Sequence, residues 1–364
     1  MRILVDGIPK EIGGIGTLII NLINYNEYIG ERNNIVFEFL VPTESEYIDI
    51  LKNKGYRYFE VTKVLTRGYR RCVNEIFRNN QYDYVWINNT SKVNIYLPIT
   101  AKRRGTSVIV HSHGVQTEEK GVKRIVFDII EFFRGKRYCE LIDIPFACSK
   151  SSAEYFYPRY LIDSCTIISN GIDNDRFKFD SQYRNEIRES LNLNDEDILL
   201  GASGRLTQVK NHAFLIKLMI SLPDNYKLVI LGDGEEKSNY ESLIDSLGLE
   251  HRVFLPGNQK KVERYLSAMD IFLMPSLNEG LPFSLVEAQS NGLKCIVSTG
   301  VSQEARLLAT TKFISLENQQ VWIDEILSGV TPLSERQSAN EVVAEEGYSI
   351  EVSYNKFANC ILNT

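Results

Sequence analysis

The sequence predicts an α/β protein built from two facing Rossmann-like, doubly wound domains around one interdomain cleft. Short β-rich apolar runs alternate with longer amphipathic segments along the chain, the pattern of parallel sheets covered by helices on both faces. The 364 residues suffice for two cores of roughly 150–180 residues each. The polar stretch 170–197 falls near the middle without a strong apolar run, and it places the junction close to residue 172.

Taken in order, the predicted strands of the first half are Ile3–Asp6, Val36–Val41, Tyr84–Asn88, Val108–His111, Pro145–Cys148 and Thr166–Ser169. The first meets an acid after three apolar residues, so it reads as a strand and not as a leader peptide. The second half repeats the pattern at Ile198–Ser203, Lys227–Gly232, Val253–Pro256, Ile271–Pro275 and Lys294–Ser298. In doubly wound sheets, ligands bind beyond the carboxyl ends of the strands, so the loops that follow these runs are where function is sought.

Composition narrows the classes. The net charge of −6 argues against a nucleic-acid partner. Between Thr62 and Glu140, however, fifteen Lys/Arg face seven Asp/Glu, a local +8 that leaves −14 for the rest. A basic face of this kind suits an anionic membrane or acceptor, and equally a solvated surface. The six cysteines form no CxxC or Cys/His cluster and read as free, largely buried thiols of a cytoplasmic protein. No apolar run approaches the roughly 18 residues that a membrane span requires.

The most informative segment is Asn278-Glu279-Gly280-Leu281-Pro282-Phe283-Ser284-Leu285-Val286-Glu287, just after the run Ile271–Met274 and its Pro275. Pro282 suits the first position of a helix that ends at Asn291-Gly292. The amides of Phe283 and Ser284 would then lie unpaired at a helix N-terminus, where a phosphate is favoured. Glu279 in the loop and Glu287 one turn past Phe283 would flank that seat, an arrangement that fits a phosphorylated sugar. An ordinary strand–loop–helix with two solvated glutamates has the same sequence pattern.

Other strand-end loops add candidates. Arg205 follows the run Ile198–Ser203 and Lys210 comes five residues later, two cations placed for a diphosphate leaving group. His111-Ser112-His113 ends another strand. His113 is the functional candidate there, and His111 reads as a core or supporting residue. His212 and His251 read as surface or structural. Gly13-Gly14-Ile15-Gly16 opens a helix after Asp6-Gly7 and lets backbone approach a phosphate or sugar, although the spacing is not GxGxxG. The DxD-like Asp173-Asn174-Asp175 and Asp195-Glu196-Asp197 read as caps or turns, and the H-x-H pair lacks a third ligand for a metal.

Together these segments resemble family 4 of the retaining glycosyltransferases with the GT-B fold, and most of all their bacterial capsular and exopolysaccharide branch. The likeness runs almost end to end. It takes in Gly13-Gly14, His111-Ser112-His113, Ala147-Cys148-Ser149-Lys150, Ile168-Ser169-Asn170-Gly171-Ile172-Asp173, Gly204-Arg205-Leu206 with Lys210-Asn211-His212, and Pro275-Ser276…Glu279-Gly280-Leu281-Pro282…Glu287-Ala288. The resemblance implies an acceptor-binding domain over residues 1–171, a nucleotide-sugar-binding domain over 172–345 and a final helix within 346–364 that packs back on the first domain. It implies a nucleotide-sugar donor, most commonly UDP-linked, transferred with retention to a glycan or lipid-linked glycan acceptor without a divalent metal or other cofactor. Glu287 would then hold the ribose, Glu279 the donor sugar, and Arg205 with Lys210 the diphosphate. His113 would contact the sugar near its anomeric centre, and Gly14, Gly280, Leu281, Phe283 and Ser284 would complete the donor site. Gly16-Thr17 departs from the acidic residue that many relatives carry there, which leaves the details of acceptor binding open.

The amphipathic segment Val122–Phe133, with basic residues on both sides, has the pattern of a helix that lies peripherally at the inner face of an anionic membrane, and equally of one that packs on its own sheet, the commoner outcome. Two rival readings share the fold: a nucleotide-sugar 2-epimerase or hydrolase, and a non-catalytic sugar-nucleotide-binding subunit.

Overall fold

The computed structural model describes residues 1–30, 34–113 and 133–362. They form two units, Met1–Gly171 with Ile350–Thr364, and Ile172–Ser349. The strands of unit 1 are β1 (Arg2–Asp6), β2 (Val36–Pro42), β3 (Arg57–Val61), β4 (Tyr84–Asn89), β5 (Ser107–Ser112), β6 (Ile144–Ala147) and β7 (Thr166–Ile167). They lie in the order β3-β2-β1-β4-β5-β6-β7, every pair parallel. Unit 2 contributes β8 (Ile198–Ser203), β9 (Tyr226–Leu231), β10 (Val253–Gly257), β11 (Ile271–Met274), β12 (Lys294–Ser298) and β13 (Thr311–Ile314), in the order β10-β9-β8-β11-β12-β13 and again parallel. These are the two parallel-sheet, Rossmann-like α/β units that the alternating pattern predicts.

The central strands are apolar runs because both of their faces are covered. Ile3–Val5, Val108–Val110 and Ile271–Leu273 are all essentially inaccessible to solvent. β3 and β13 are additions to the predicted set. Both are edge strands, and both mix charged with apolar residues, as in Arg-Tyr-Phe-Glu-Val. The polar stretch after Ile172 is also structured. It holds helices Asn174–Phe177 and Ser181–Ser190 of unit 2, the second anchored by Arg184 and Arg188 on Asp270 at 2.7 and 3.1 Å.

The chain returns to unit 1 after Ser349, just beyond Gly347, whose φ of +89° ends the preceding helical run. Helix Ile350–Leu362 then lays Tyr354, Phe357, Ala358 and Ile361 on the sheet at helical spacing. Phe357 sits 4.7 Å from Trp86, ring centre to ring centre, and Tyr84 Oη donates to the Ile361 carbonyl at 3.2 Å. Of the six free cysteines, Cys139, Cys148 and Cys295 are buried and the other three half-buried. Among the described residues no helix is long and apolar enough to cross a membrane. The predicted amphipathic segment 122–133 lies, apart from Phe133, outside the described residues.

Candidate active site

In both sheets the strand order reverses once, between β1 and β4 in unit 1 and between β8 and β11 in unit 2. Such reversals open a crevice at the carboxyl ends, because the connections leave to opposite faces of the sheet.

In unit 2 that crevice gathers several predicted residues. Lys210 ends the 3₁₀ turn Gln208–Lys210 after β8, and Asn211 follows in the left-handed region at φ +53°. Two hydrogen bonds stitch this turn to the loop leaving β11: Asn211 Nδ2 donates to the Pro275 carbonyl at 3.2 Å, and the Leu277 amide to the Val209 carbonyl at 2.8 Å. The loop is held on its other side by β12, where Ser298 Oγ donates to the Ser276 carbonyl. The Glu279 amide donates to the Gly300 carbonyl at 3.0 Å, and Ser302 returns a bond to the Glu279 carbonyl at 2.9 Å. Gly300 must be glycine, since a Cβ there would fall 2.3 Å from the Leu277 carbonyl oxygen. So braced, Glu279 Oε1 meets Lys210 Nζ at 2.7 Å, both side chains about four-fifths buried.

Arg205 points elsewhere. Its Nε lies 3.5 Å from Glu235 Oε2, and both groups are about half exposed. Pro282 caps the helix and is not its first residue. The helix runs Phe283–Ser290, and the Leu285 and Val286 amides both reach the Pro282 carbonyl. Its first amides, those of Phe283 and Ser284, therefore precede the intrahelical bonds. Leu281 and Phe283 pack their side chains into the core of unit 2, so backbone is what they can offer a ligand. Gly280 connects them to Glu279.

Glu287 is half-buried, and burial pushes its carboxyl up to about 7, with Glu263 adding to the rise and Arg176 opposing it. Arg176 grips Glu263 Oε2 with Nη2 at 2.9 Å and Nε at 3.2 Å. Sequence reasoning missed both residues. Arg176 stands in the stretch taken for a linker, and Glu263 lies on helix Val262–Ala268 with no motif to mark it. The DxD-like segments are local structure: Asp173 caps its helix by accepting from the Arg176 amide, and Asp197 accepts from the Asn194 amide.

In unit 1 the reversal point carries Asp6, Gly7, Asn88 and, one strand over, His113. A Cβ on Gly7 would collide with the Asn88 carbonyl, and Gly7 has φ +95°, so only glycine fits. Asn88 Nδ2 donates to the Asp6 carbonyl at 3.3 Å, which orients Asn88 Oδ1 toward His113 Nε2 at 3.1 Å. Nε2 is then the protonated nitrogen, and Nδ1 keeps its lone pair. Burial lowers the His113 imidazole to about 3 and raises the Asp6 carboxyl to about 6. His111 is fully buried between Trp86 and His113, a core position. His212 is likewise buried, edge-on to Tyr240.

Gly14 is the first residue of helix Gly14–Tyr28. Gly16, in the first turn of that helix, answers to packing: a Cβ there would fall 2.2 Å from the Tyr47 ring. Tyr47 Oη in turn accepts from the Gly13 amide at 3.1 Å.

Residues 183–328, all within unit 2, match the family described as glycosyl transferases group 1. Unit 2 carries a glycosyltransferase group 1 domain. The chain as a whole is 25% identical over 370 residues to EpsF of Bacillus subtilis, which bears a glycosyltransferase name, across 95% of this chain and 92% of that protein. It is 30% identical over 277 residues to an Escherichia coli UDP-Gal:α-D-GlcNAc-diphosphoundecaprenol α-1,3-galactosyltransferase, across 71% of this chain and 65% of that one. Among solved structures, Anabaena HepE in complex with UDP-glucose superposes with a TM-score of 0.78 at 17% identity over the full length of both chains. The group 1 domain thus sits in a GT-B-type architecture.

Proposed function

We propose that this protein transfers a sugar from a nucleotide-sugar donor, a UDP-sugar, to a glycan or lipid-linked glycan acceptor, with retention of configuration and without a divalent metal. The observation that carries the reading is the Lys210–Glu279 pair at the reversal point of the group 1 domain, beside the helix that bears Glu287. Charge develops on the leaving diphosphate as the glycosidic bond breaks, so a fixed cation and helix amides at that point lower the barrier. In this reading Lys210 and Arg205 serve the diphosphate, the latter by turning from Glu235. Glu279 takes the sugar hydroxyls and Glu287 the ribose. The amides of Gly280, Leu281, Phe283 and Ser284 complete the seat. His113, neutral and held by Asn88, offers Nδ1 to a hydroxyl near the anomeric carbon, and Gly14 lets backbone approach the donor. The names of relatives support the acceptor class. The E. coli protein above and a Campylobacter jejuni N-acetylgalactosaminyltransferase both name diphospho-undecaprenol acceptors. The reading places the reaction in capsular or exopolysaccharide assembly, at the inner face of the membrane where such a lipid-linked acceptor would be met.

The test is a transfer assay with UDP-sugars and diphospholipid-linked sugars in EDTA, the product's anomeric configuration being read by NMR. An α-linked product from an α-linked donor is expected. An inverted product removes retention, turnover that requires added divalent ion removes metal independence, and donor turnover without acceptor transfer points to an epimerase or hydrolase.

A further inference from the structure

The loop after β3 has a construction that donor chemistry does not need. Val64 and Leu65, adjacent in sequence, are each 43% exposed, and Leu65 stands at φ +74°. A bulky residue in the left-handed region is strained and persists only where the surroundings impose it. Here a small network does so. Thr66 Oγ1 donates to the Lys63 carbonyl at 2.8 Å, lies 3.0 Å from Thr62 Oγ1, and accepts from the Tyr69 amide at 3.1 Å as the cap of helix Arg67–Asn79. The turn thereby holds two apolar side chains in water.

Cations flank them in sequence, one of which, Arg70, also stacks over the Tyr96 ring at 5.3 Å. Lys63, Arg67, Arg70 and Arg71 are exposed within the loop and the first turns of the helix, against Glu60 and Glu75. The opposite face of the helix, Tyr69, Val73, Ile76 and Phe77, is buried in the core of unit 1. β3 is parallel to every other strand of its sheet, so its outgoing loop stands on the same rim as Asp6, Asn88 and His113.

We infer that the segment 62–71 is a membrane-docking surface, in which Val64 and Leu65 enter the headgroup region of an anionic bilayer while Lys63, Arg67, Arg70 and Arg71 meet its phosphates. Exposed apolar residues flanked in sequence by exposed cations match such an interface in both hydrophobicity and charge, whereas a soluble polyanion would leave Val64 and Leu65 unused. The inference rests on the membrane placement proposed above, names the surface that would make it, and uses no residue of segment 122–133.

The test is co-sedimentation of the full chain with phosphatidylcholine vesicles that contain or lack about one-third phosphatidylglycerol, at low and high salt, with UDP binding measured on the same preparations. Two variants isolate the two components. Val64→Ser with Leu65→Asn removes the apolar pair, and asparagine tolerates the left-handed backbone, so the fold is kept. Arg67→Gln with Arg71→Gln removes two cations. The wild type is expected to bind the anionic vesicles in low salt only. The cation variant should lose about fivefold per charge removed, and the apolar variant should lose most of the remaining binding at unchanged thermal midpoint. Failure of the wild type to bind, equal binding to neutral vesicles, or full binding by both variants would overturn the proposal. Competition by soluble glycerol phosphate to the same extent as by lipid would also overturn it, by assigning the site to free phosphate. None of these outcomes touches UDP binding, which reports separately on unit 2.

Discussion

Lys210 Nζ lies 2.7 Å from Glu279 Oε1, and the two side chains come from opposite sides of the point where the strand order of the second sheet reverses. The loop after β8 supplies the cation and the loop after β11 the carboxylate, with the Asn211 side-chain amide on the Pro275 carbonyl and the Leu277 amide on the Val209 carbonyl fixing one loop to the other. A pair that retains some exposure contributes at most about 1 kcal/mol to folding. Its value lies in holding a carboxylate and a cation ready at a sheet crevice.

Replacing either member should therefore affect catalysis far more than stability. Lys210→Ala is expected to lower kcat/KM about a hundredfold, near 3 kcal/mol, with a thermal midpoint within a few degrees of wild type. Glu279→Gln should keep affinity for free UDP and lose the added affinity that a UDP-sugar provides. Steady-state transfer assays with thermal melting check the first, and calorimetry of UDP against UDP-sugar checks the second.

Glu287 gives a pH signature. Its folded-state pKa is raised from the ordinary carboxylate value to about 7, so the folded protein binds the more protons between these limits. The stability linked to Glu287 is fully present below about pH 4.5 and is lost as pH rises through about 7. Glu287→Gln should thus be the more stable protein above pH 7, by up to about 3 kcal/mol, with the advantage fading toward pH 4.5. If the ionised carboxylate holds the ribose, wild-type UDP affinity climbs through the same window and the variant's does not. Urea titrations and calorimetry at matched pH values measure the two effects.

Gly300 is predicted to be a support for the site and not a ligand. In Gly300→Ala, the new methyl would press on the Leu277 carbonyl and push the loop that carries Glu279 out of place. Loss of donor binding in a protein whose far-ultraviolet circular dichroism is unchanged is the expected result, and wild-type affinity would contradict it.

His113 should show no titration of its own in activity between pH 5 and 9, since its burial holds the imidazole neutral down to about 3. Asn88→Ala frees Nε2 and is expected to lower turnover through misorientation of the ring, while His113→Ala lowers it more. A limb near pH 6.5 that disappears in His113→Ala would show the histidine working as an acid or base.

How far the sequence carried this picture depended on burial. Central strands such as Ile271–Met274 are apolar because both faces are covered, and the same property makes them legible. β3 and β13 escaped notice because edge strands carry charge. The stretch after Ile172 was taken for a linker because its helices hold on through arginines: Arg184 and Arg188 to Asp270, Arg176 to Glu263. Glu279 and Lys210 were legible as strand-end residues with characteristic neighbours, and Glu287 as a carboxylate in the first turns of the helix that follows Glu279. That Lys210 meets Glu279 while Arg205 turns to Glu235 was not, because the Lys210–Glu279 contact is set by hydrogen bonds between loops far apart in sequence, such as that from the Asn211 side chain to the Pro275 carbonyl 64 residues on. Gly16 illustrates the limit from the other side: a glycine in a promising motif lies in the first turn of a helix, where it clears the Tyr47 ring.

The account rests on a nucleotide-sugar donor seated at the Lys210–Glu279 crevice. The most direct measurement is calorimetric titration of the purified protein, in EDTA, with UDP-, GDP-, ADP- and dTDP-sugars, repeated on Lys210→Ala and Glu287→Ala. The account predicts submillimolar binding of one of them, the UDP-sugars foremost, weakened at least tenfold by each substitution. Absence of binding to all four, or binding that neither substitution alters, would contradict it.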